Sequence, residues 1–361
     1  MQSSRRPTQH DVAKLAGVSA AVVSRVLNPD SRGTVRVGKE AEARVKRAME
    51  QLGYVPNPVA RNLATGKSHL LGVFTYEPIF PTAMRDFYFP FLVGIEQAAE
   101  ERGFDLLLFT SASSDGERRS AFRDGVNRLR LADGAILLGR HPNRAEFAKL
   151  AQEDFPIVYV GRREIPGHDA SYVAADYVGG TADVTTYLVE LGHRRIAYLG
   201  VPDPDESAAD REAGYRGTLA RIGLGASVRA ERLAPSELDE KVLGGLLDDG
   251  VTALLLENDV LARQLMTLAT RLDLRVPERF SFAVLGDPLE PSPDDPRWTS
   301  FQIPREAMGS RSLDLLLELV DDAERTPRHQ LLPCTFIPGT TTTHPRSIEP
   351  TTPDADTRTS A

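Results

Sequence analysis

Thr8-Gln9-His10-Asp11-Val12-Ala13-Lys14-Leu15-Ala16-Gly17-Val18-Ser19-Ala20-Ala21-Val22-Val23-Ser24-Arg25-Val26-Leu27-Asn28 has the pattern of two short helices joined by a tight turn. Thr8 is placed to cap the first, and Asp11 puts an acid where the helix dipole favours it. Val12, Leu15 and Ala16 are expected on one apolar face. Gly17 can end the helix in the left-handed conformation. Ser19 caps the second helix, whose apolar side is Val22, Val23 and Val26. Helices this short bury little by themselves, so they must pack on a third, and the second must offer its other face to something. That describes a helix-turn-helix, whose second helix enters a major groove of DNA. An ordinary helical hairpin inside a larger core is the competing interpretation, and the residues C-terminal to Asn28 weaken it.

A third helix is predicted over Lys39–Leu52. Ala41, Val45, Ala48, Met49 and Leu52 form its apolar stripe, and Lys39, Arg44, Lys46 and Arg47 lie outside. Residues 1–66 hold 11 Lys/Arg against 5 Asp/Glu, although the 361-residue chain has a net charge of −8. A basic first segment on an acidic body suits a nucleic-acid-binding headpiece. Next, Asn57-Pro58 at a helix start and Gly66 at its end bound a helix of barely two turns. Alone it is marginal and needs a partner helix or DNA to hold it.

Asp11-Val12-Ala13, Ala16-Gly17-Val18-Ser19, Val23-Ser24-Arg25-Val26-Leu27-Asn28 and the run ending Arg61-Asn62-Leu63-Ala64 resemble the headpiece and hinge of the lactose-repressor (LacI/GalR) family of bacterial transcription regulators. The likeness is ungapped over residues 8–66 and continues more loosely to about 342. It implies base contacts from Ala20, Ala21 and Arg25, with Arg25 supplying the polar readout of a guanine. Phosphate contacts are implied at Thr8, Ser19 and Asn28, which set register. Ala20 and Ala21 can equally be mere helix formers. Asn57, Ala60, Leu63 and Ala64 fall on the DNA-facing hinge. The resemblance implies paired hinge helices in the minor groove, with Leu63 wedged into the central base step. The alternative for Leu63 is packing on the body.

From Leu70 on, apolar strands alternate with helices. Strands are predicted at 70–76, 105–110, 134–138, 157–161, 172–175, 195–200, 253–256 and 281–285. Helices are predicted at 89–102, 117–130, 144–154, 177–191, 209–222, 259–272 and 305–324. This alternation means parallel, doubly wound sheets with ligand crevices at the strand C-terminal ends. The expected fold is a small all-α helix-turn-helix headpiece plus an α/β bilobed periplasmic-binding-protein-like core of two doubly wound parallel sheets. The expected divisions are headpiece 1–55, hinge and linker 56–68, core 69–345 and a disordered tail 346–361 rich in Thr, Pro and Asp. The tail lacks leucine heptads, so a homodimer rather than a tetramer is expected.

In the core, the resemblance places an aromatic pair, Phe87 and Tyr88, on the ligand cleft, although core packing serves an aromatic equally well. It also implies that Arg211 and Asn258 contact effector and that Arg162 sits at a cleft-side strand end. The family usually has Gly-Tyr-Asp-Asp or Gly-Tyr-Asp-Asn after the 281 strand, with the first Asp gripping ligand hydroxyls. Here that position is Gly286, and Asp287 comes one place late. Tyr177 stands where Asn is usual, and Pro338-Gly339 replaces an arginine-bearing strand end. The effector is therefore expected to be a sugar or sugar-like molecule bound in an unusual way, or to be absent.

Enzyme chemistry finds little footing. Thr65-Gly66-Lys67-Ser68 has the end of a phosphate-binding loop, but Arg61 occupies the place of its first glycine. The seven histidines are scattered without metal-ligand spacing, and the single Cys334 has no nucleophile context. No cofactor and no metal are expected. No apolar run spans a membrane or forms a signal peptide, and one cysteine suits a reducing cytoplasm. The expectation is a cytoplasmic repressor binding a pseudopalindromic double-stranded operator under effector control. A transcriptional activator, or a ligand-binding protein with a non-functional headpiece, remains open, as does the choice between induction and corepression.

Overall fold

The computed structural model describes residues 7–27, 37–55, 68–77, 85–110, 119–139, 143–165, 167–288, 293, 295–322, 324 and 326–346. Three helices form the headpiece: α1 (Gln9–Ala16), α2 (Ala20–Leu27) and α3 (Lys39–Leu52). Thr8 and Asp11 cap α1 reciprocally. The Asp11 amide donates to Thr8 Oγ1 at 3.3 Å, and the Thr8 amide donates to Asp11 Oδ2 at 2.9 Å. Gly17 closes α1 at φ 62°. Ser19 accepts the Val22 amide at 3.4 Å. Val12, Ala13, Ala16, Val23, Val45 and Ala48 make the shared core. Leu15 departs from the expected face and is 49% exposed. The other two helices pack on the flank that carries Val12, Ala13 and Ala16, so Leu15 lies on the opposite flank.

Two six-stranded sheets make the body. The first has the order β13-β7-β6-β5-β1-β2, formed by His329–Pro333, Tyr172–Asp176, Ile157–Val160, Gly134–Leu138, Leu70–Thr75 and Asp105–Phe109. All its pairings are parallel. The second has the order β14-β12-β11-β10-β8-β9, formed by Thr335–Ile337, Thr299–Gln302, Ser281–Val284, Ala253–Leu256, Ile196–Gly200 and Arg229–Arg232. Only β14 runs antiparallel. Both faces of each sheet are covered, and alternate residues enter different cores. In β10, Ala253 and Leu255 join a cluster that continues into the first lobe, whereas Leu254 and Leu256 face away from it.

Among the described residues the remaining α-helices are α4 (Arg85–Arg102), α5 (Arg144–Gln152), α6 (Tyr177–Glu190), α7 (Glu206–Arg221), α8 (Glu240–Asp248), α9 (Asp259–Arg271) and α10 (Arg305–Asp321). α6 packs on α7 and the second sheet, whereas α10 packs on α4 and the first sheet. The chain therefore crosses between lobes three times: at 176–177, at 303–304 and at Cys334. β13 and α10 return to the first lobe after the second is nearly complete, an exchange the simple alternation did not anticipate.

The helix expected over 117–130 is absent from its described part, residues 119–130. In its place stand a hairpin, β3 (Phe122–Arg123) with β4 (Val126–Asn127), and a 3-10 turn over Arg128–Leu131. Asp124 and Gly125 form the tip, at φ 50° and 79°. Asp-Gly favours a two-residue turn whose twist matches paired strands, and it interrupts helix formation. Ser120 Oγ and the Ala121 amide donate to Glu146 on α5, each at 2.6 Å, and fix the hairpin to the lobe. The hinge helix expected near 57–66 and the tail beyond 346 lie outside the described residues.

Candidate ligand cleft and nucleic-acid interface

The C-terminal ends of β5, β6, β10 and β11 face a cavity of about 260 Å³ between the lobes, the position at which α/β sheets hold ligands. Phe87 borders it from α4 and meets Tyr88 and Phe91 edge-on, with centroids 5.0 and 5.6 Å away. Tyr88 is 1% exposed, and its hydroxyl donates to Glu77 Oε2 at 2.7 Å. Tyr88 lines the cavity and is also packed in the core.

Arg211 reaches the cavity from α7. Its Nε donates to Leu285 O at 2.7 Å, and its Nη1 donates to Ser207 O and Oγ at 3.0 and 2.9 Å. Its guanidinium lies 3.9 Å from the Tyr177 ring centroid, where the ring face attracts a cation. Arg162 follows β6 and crosses to the second lobe, where Nε and Nη2 fork onto Asp210 at 3.0 and 2.7 Å. It also pairs with Glu164. Beside it, Arg163 stands 3.7 Å from Glu206, and the Glu164 amide donates to Glu206 Oε1 at 3.1 Å.

Asn258 lines the cavity and also caps α9, its Oδ1 accepting the Leu261 amide at 3.0 Å. Asp287 is turned toward the second crossing. Its Oδ1 accepts the Ile303 amide at 2.9 Å, and its Oδ2 pairs with Arg305. The cleft thus gathers Phe87, Tyr88, Arg162, Arg211, Asn258 and Asp287, but Asp287 has both oxygens occupied by its own chain.

Glu257, Asp210, Arg163 and Arg305 also line the cavity and were not among the expected residues. Glu257 directly follows β10, so the strand-end rule could have found it. Arg305 had no local signal, because its place depends on α10 returning to the first lobe. Glu257 accepts the Tyr198 hydroxyl at 3.0 Å and the Val201 amide at 3.2 Å. Burial raises its pKa above the usual carboxylate value, against the pull of Arg211. No group of three or more His, Cys, Asp or Glu side chains among the described residues could hold a metal ion. Burial pushes the Cys334 thiol up to about 12, so it stays protonated and unreactive.

On the headpiece, Ser19, Ala20 and Ala21 are exposed at the start of α2, Thr8 is partly exposed, and Arg25 is half-buried one turn further along. Exposed N-terminal residues on a second helix match the presentation of a recognition helix. Asn28, Asn57, Ala60, Leu63 and Ala64 lie outside the described residues.

A three-helix DNA-binding unit attached to a two-lobed body with a ligand-sized cleft defines a DNA-binding transcription regulator. Residues 8–57 match the model for bacterial regulatory proteins of the lacI family. Residues 78–247 match the periplasmic binding proteins and sugar binding domain of LacI family, and 185–342 match a periplasmic binding protein-like domain. The HTH-type transcriptional regulator CelR of Thermobifida fusca is 31% identical over 333 residues, covering 91% of this chain and 96% of CelR. The HTH-type transcriptional repressor CytR of Escherichia coli (strain K12) is 29% identical over 338 residues, covering 91% and 94%. A lac repressor dimer solved with operator and the anti-inducer ONPF superposes with a TM-score of 0.67 at 27% identity, over 94% of this chain and 100% of that one. A CelR–cellobiose complex superposes with a TM-score of 0.59 at 28% identity, over 93% and 100%. The chain belongs to the LacI family of bacterial transcription regulators. It is not an enzyme, and none of its described helices is long and apolar enough to cross a membrane.

Proposed function

We propose that the protein is a cytoplasmic repressor that binds a pseudopalindromic operator as a homodimer and responds to a small sugar or sugar-like ligand in the cleft. The observation that carries this reading is the cavity between two lobes joined by three short crossings, on the same chain as an exposed recognition helix. Ligand in the cleft alters the lobe arrangement and, through it, the spacing of the paired hinge segments. It shifts DNA binding only by as much as it prefers one arrangement. Ala20, Ala21 and Arg25 read bases, and Thr8, Ser19 and Asn28 touch phosphates. Asn57, Ala60, Leu63 and Ala64 enter the minor groove, with Leu63 as the wedge.

Selection of bound sequences from random duplex DNA with the full-length protein tests this proposal. Recovery of a two-fold symmetric site supports it, and that site then serves to screen ligands for release or tightening. Salt-sensitive binding without sequence preference, with and without candidate sugars, overturns it in favour of a ligand-binding protein with a non-functional headpiece. On the recovered site, Leu63→Ala weakens specific binding far more than non-specific binding. Equal losses on both remove the wedge.

A further inference from the structure

We propose that the ligand of this cleft carries an anionic group, a carboxylate or phosphate on a monosaccharide-sized polyol, seated over Gly286 against Arg211. The inference rests on the cleft being the regulatory ligand site and narrows what enters it.

Three of the four arginines that line the cavity face a carboxylate. Arg162 is paired with Asp210 and Arg305 with Asp287, and Arg163 lies near Glu206. Arg211 differs. It is 8% exposed, yet its hydrogen bonds all go to neutral oxygens and its guanidinium rests on a neutral ring. No described carboxylate stands within ion-pair distance of it. Two of the carboxylates that line the cavity are engaged elsewhere. Asp287 serves the Ile303 amide and Arg305. The Glu257 carboxyl is turned to Tyr198 and Val201, and burial pushes it toward its neutral form. A buried guanidinium with no carboxylate at ion-pair distance favours a ligand group that supplies one.

Gly286 marks where that charge fits. A side chain beginning there would have its Cβ 3.9 Å from Arg211 Nη2 and 3.5 Å from Ile303 Cδ1, with nothing closer. An acidic residue at this position would be within reach of the guanidinium. The backbone instead has φ 153°, which glycine adopts without strain, so the position bears a hydrogen and opens onto the cavity. A second observation points to the same wall. Arg305 is 7% exposed, and its Nε has no hydrogen-bond partner among the described residues. Asp287 thus serves one of two guanidinium groups, and Arg211, Arg305 and Gly286 all line the cavity. Carboxylate and phosphate oxygens are the acceptors that arginine binds best, in forked pairs. The aromatic cluster at Phe87 offers a flat apolar surface for the rest of the ligand.

Titration calorimetry on the full-length protein tests this. The probes are D-gluconate, D-glucuronate, D-galacturonate and D-glucose 6-phosphate, with D-glucose and D-galactose as uncharged counterparts. The expected result is at least one acid bound tenfold or more tightly than its neutral counterpart. The carboxylate and phosphate arms show which anion it is. Arg211→Gln removes that preference and Arg211→Lys keeps part of it, with thermal unfolding checking that both variants are folded. Neutral sugars binding as tightly as the acids overturn the anion inference and leave the cleft as the ligand site. A preference that survives Arg211→Gln overturns the placement. No binding by any probe at millimolar concentration, with operator binding intact, overturns both the inference and a sugar-type ligand.

Discussion

Arg162 and Asp210 sit on different lobes and are joined by two parallel hydrogen bonds of 3.0 and 2.7 Å. The pair bridges the cleft, so its strength reports how firmly the ligand-free lobes are held together. Both side chains are less than a quarter exposed, which places the pair between a screened surface bridge and a buried one. A double-mutant cycle with Arg162→Met and Asp210→Asn, read by urea unfolding, should give a coupling of about 1–2 kcal/mol that falls with salt. A coupling near zero would mean that the lobes stand apart in solution.

The hairpin at Asp124-Gly125 admits a test whose sign decides between two structures. Gly125 has φ 79°, so Gly125→Ala should destabilise the protein by about 1–2 kcal/mol. In a helix over 117–130 the same change would stabilise by up to about 1 kcal/mol. Thermal unfolding of the single variant separates the two.

In the headpiece, Arg25→Ala should relax preference at one base pair of each half-site by about 1–3 kcal/mol and leave the other positions unchanged. Binding measured on a panel of single-base operator variants checks this. A uniform loss across the panel would make Arg25 a phosphate contact.

His193 gives a prediction about acid. Its Nε2 donates to Thr343 O at 2.9 Å, and its Nδ1 lies 2.8 Å from the Thr252 hydroxyl. Burial lowers its pKa below the ordinary 6.5. The unfolded chain therefore takes up a proton before the folded one does. Proton uptake by His193 leaves stability unchanged well above pH 6.5, and stability falls as the pH drops from there toward the folded pKa. His193→Gln should flatten that part of the stability–pH curve, measured by urea unfolding between pH 5 and 7.5. An unchanged slope would mean that the ring takes up its proton equally readily in the folded and the unfolded chain.

Periodicity and capping signals located the headpiece well, and the predicted α3 coincides with the observed one. Buried strands such as β5 and β10 were legible because both faces of a parallel sheet are covered and the run is apolar throughout. The Asp-Gly tip was a visible signal that a charged, helix-compatible neighbourhood concealed. α8, whose apolar pattern is broken by two consecutive glycines, and β9, a short edge strand of mostly charged residues, were missed. In the cleft, Arg211 and Arg162 could be named from the sequence. Their partners could not, because Asp210 meets Arg162 and Asp287 meets Arg305 only after the chain has crossed between the lobes.

The return of β13 and α10 to the first lobe has a consequence during synthesis. A ribosome that has released residues up to 302 has delivered neither lobe complete. The first sheet still lacks the strand that pairs His329 with Tyr172 and the helix that covers it, and the second lacks β14. Both exposed sheet edges are covered only when residues 305–337 emerge. The two lobes therefore mature in one late step, and a nascent chain cut short before that point carries two open templates for aggregation.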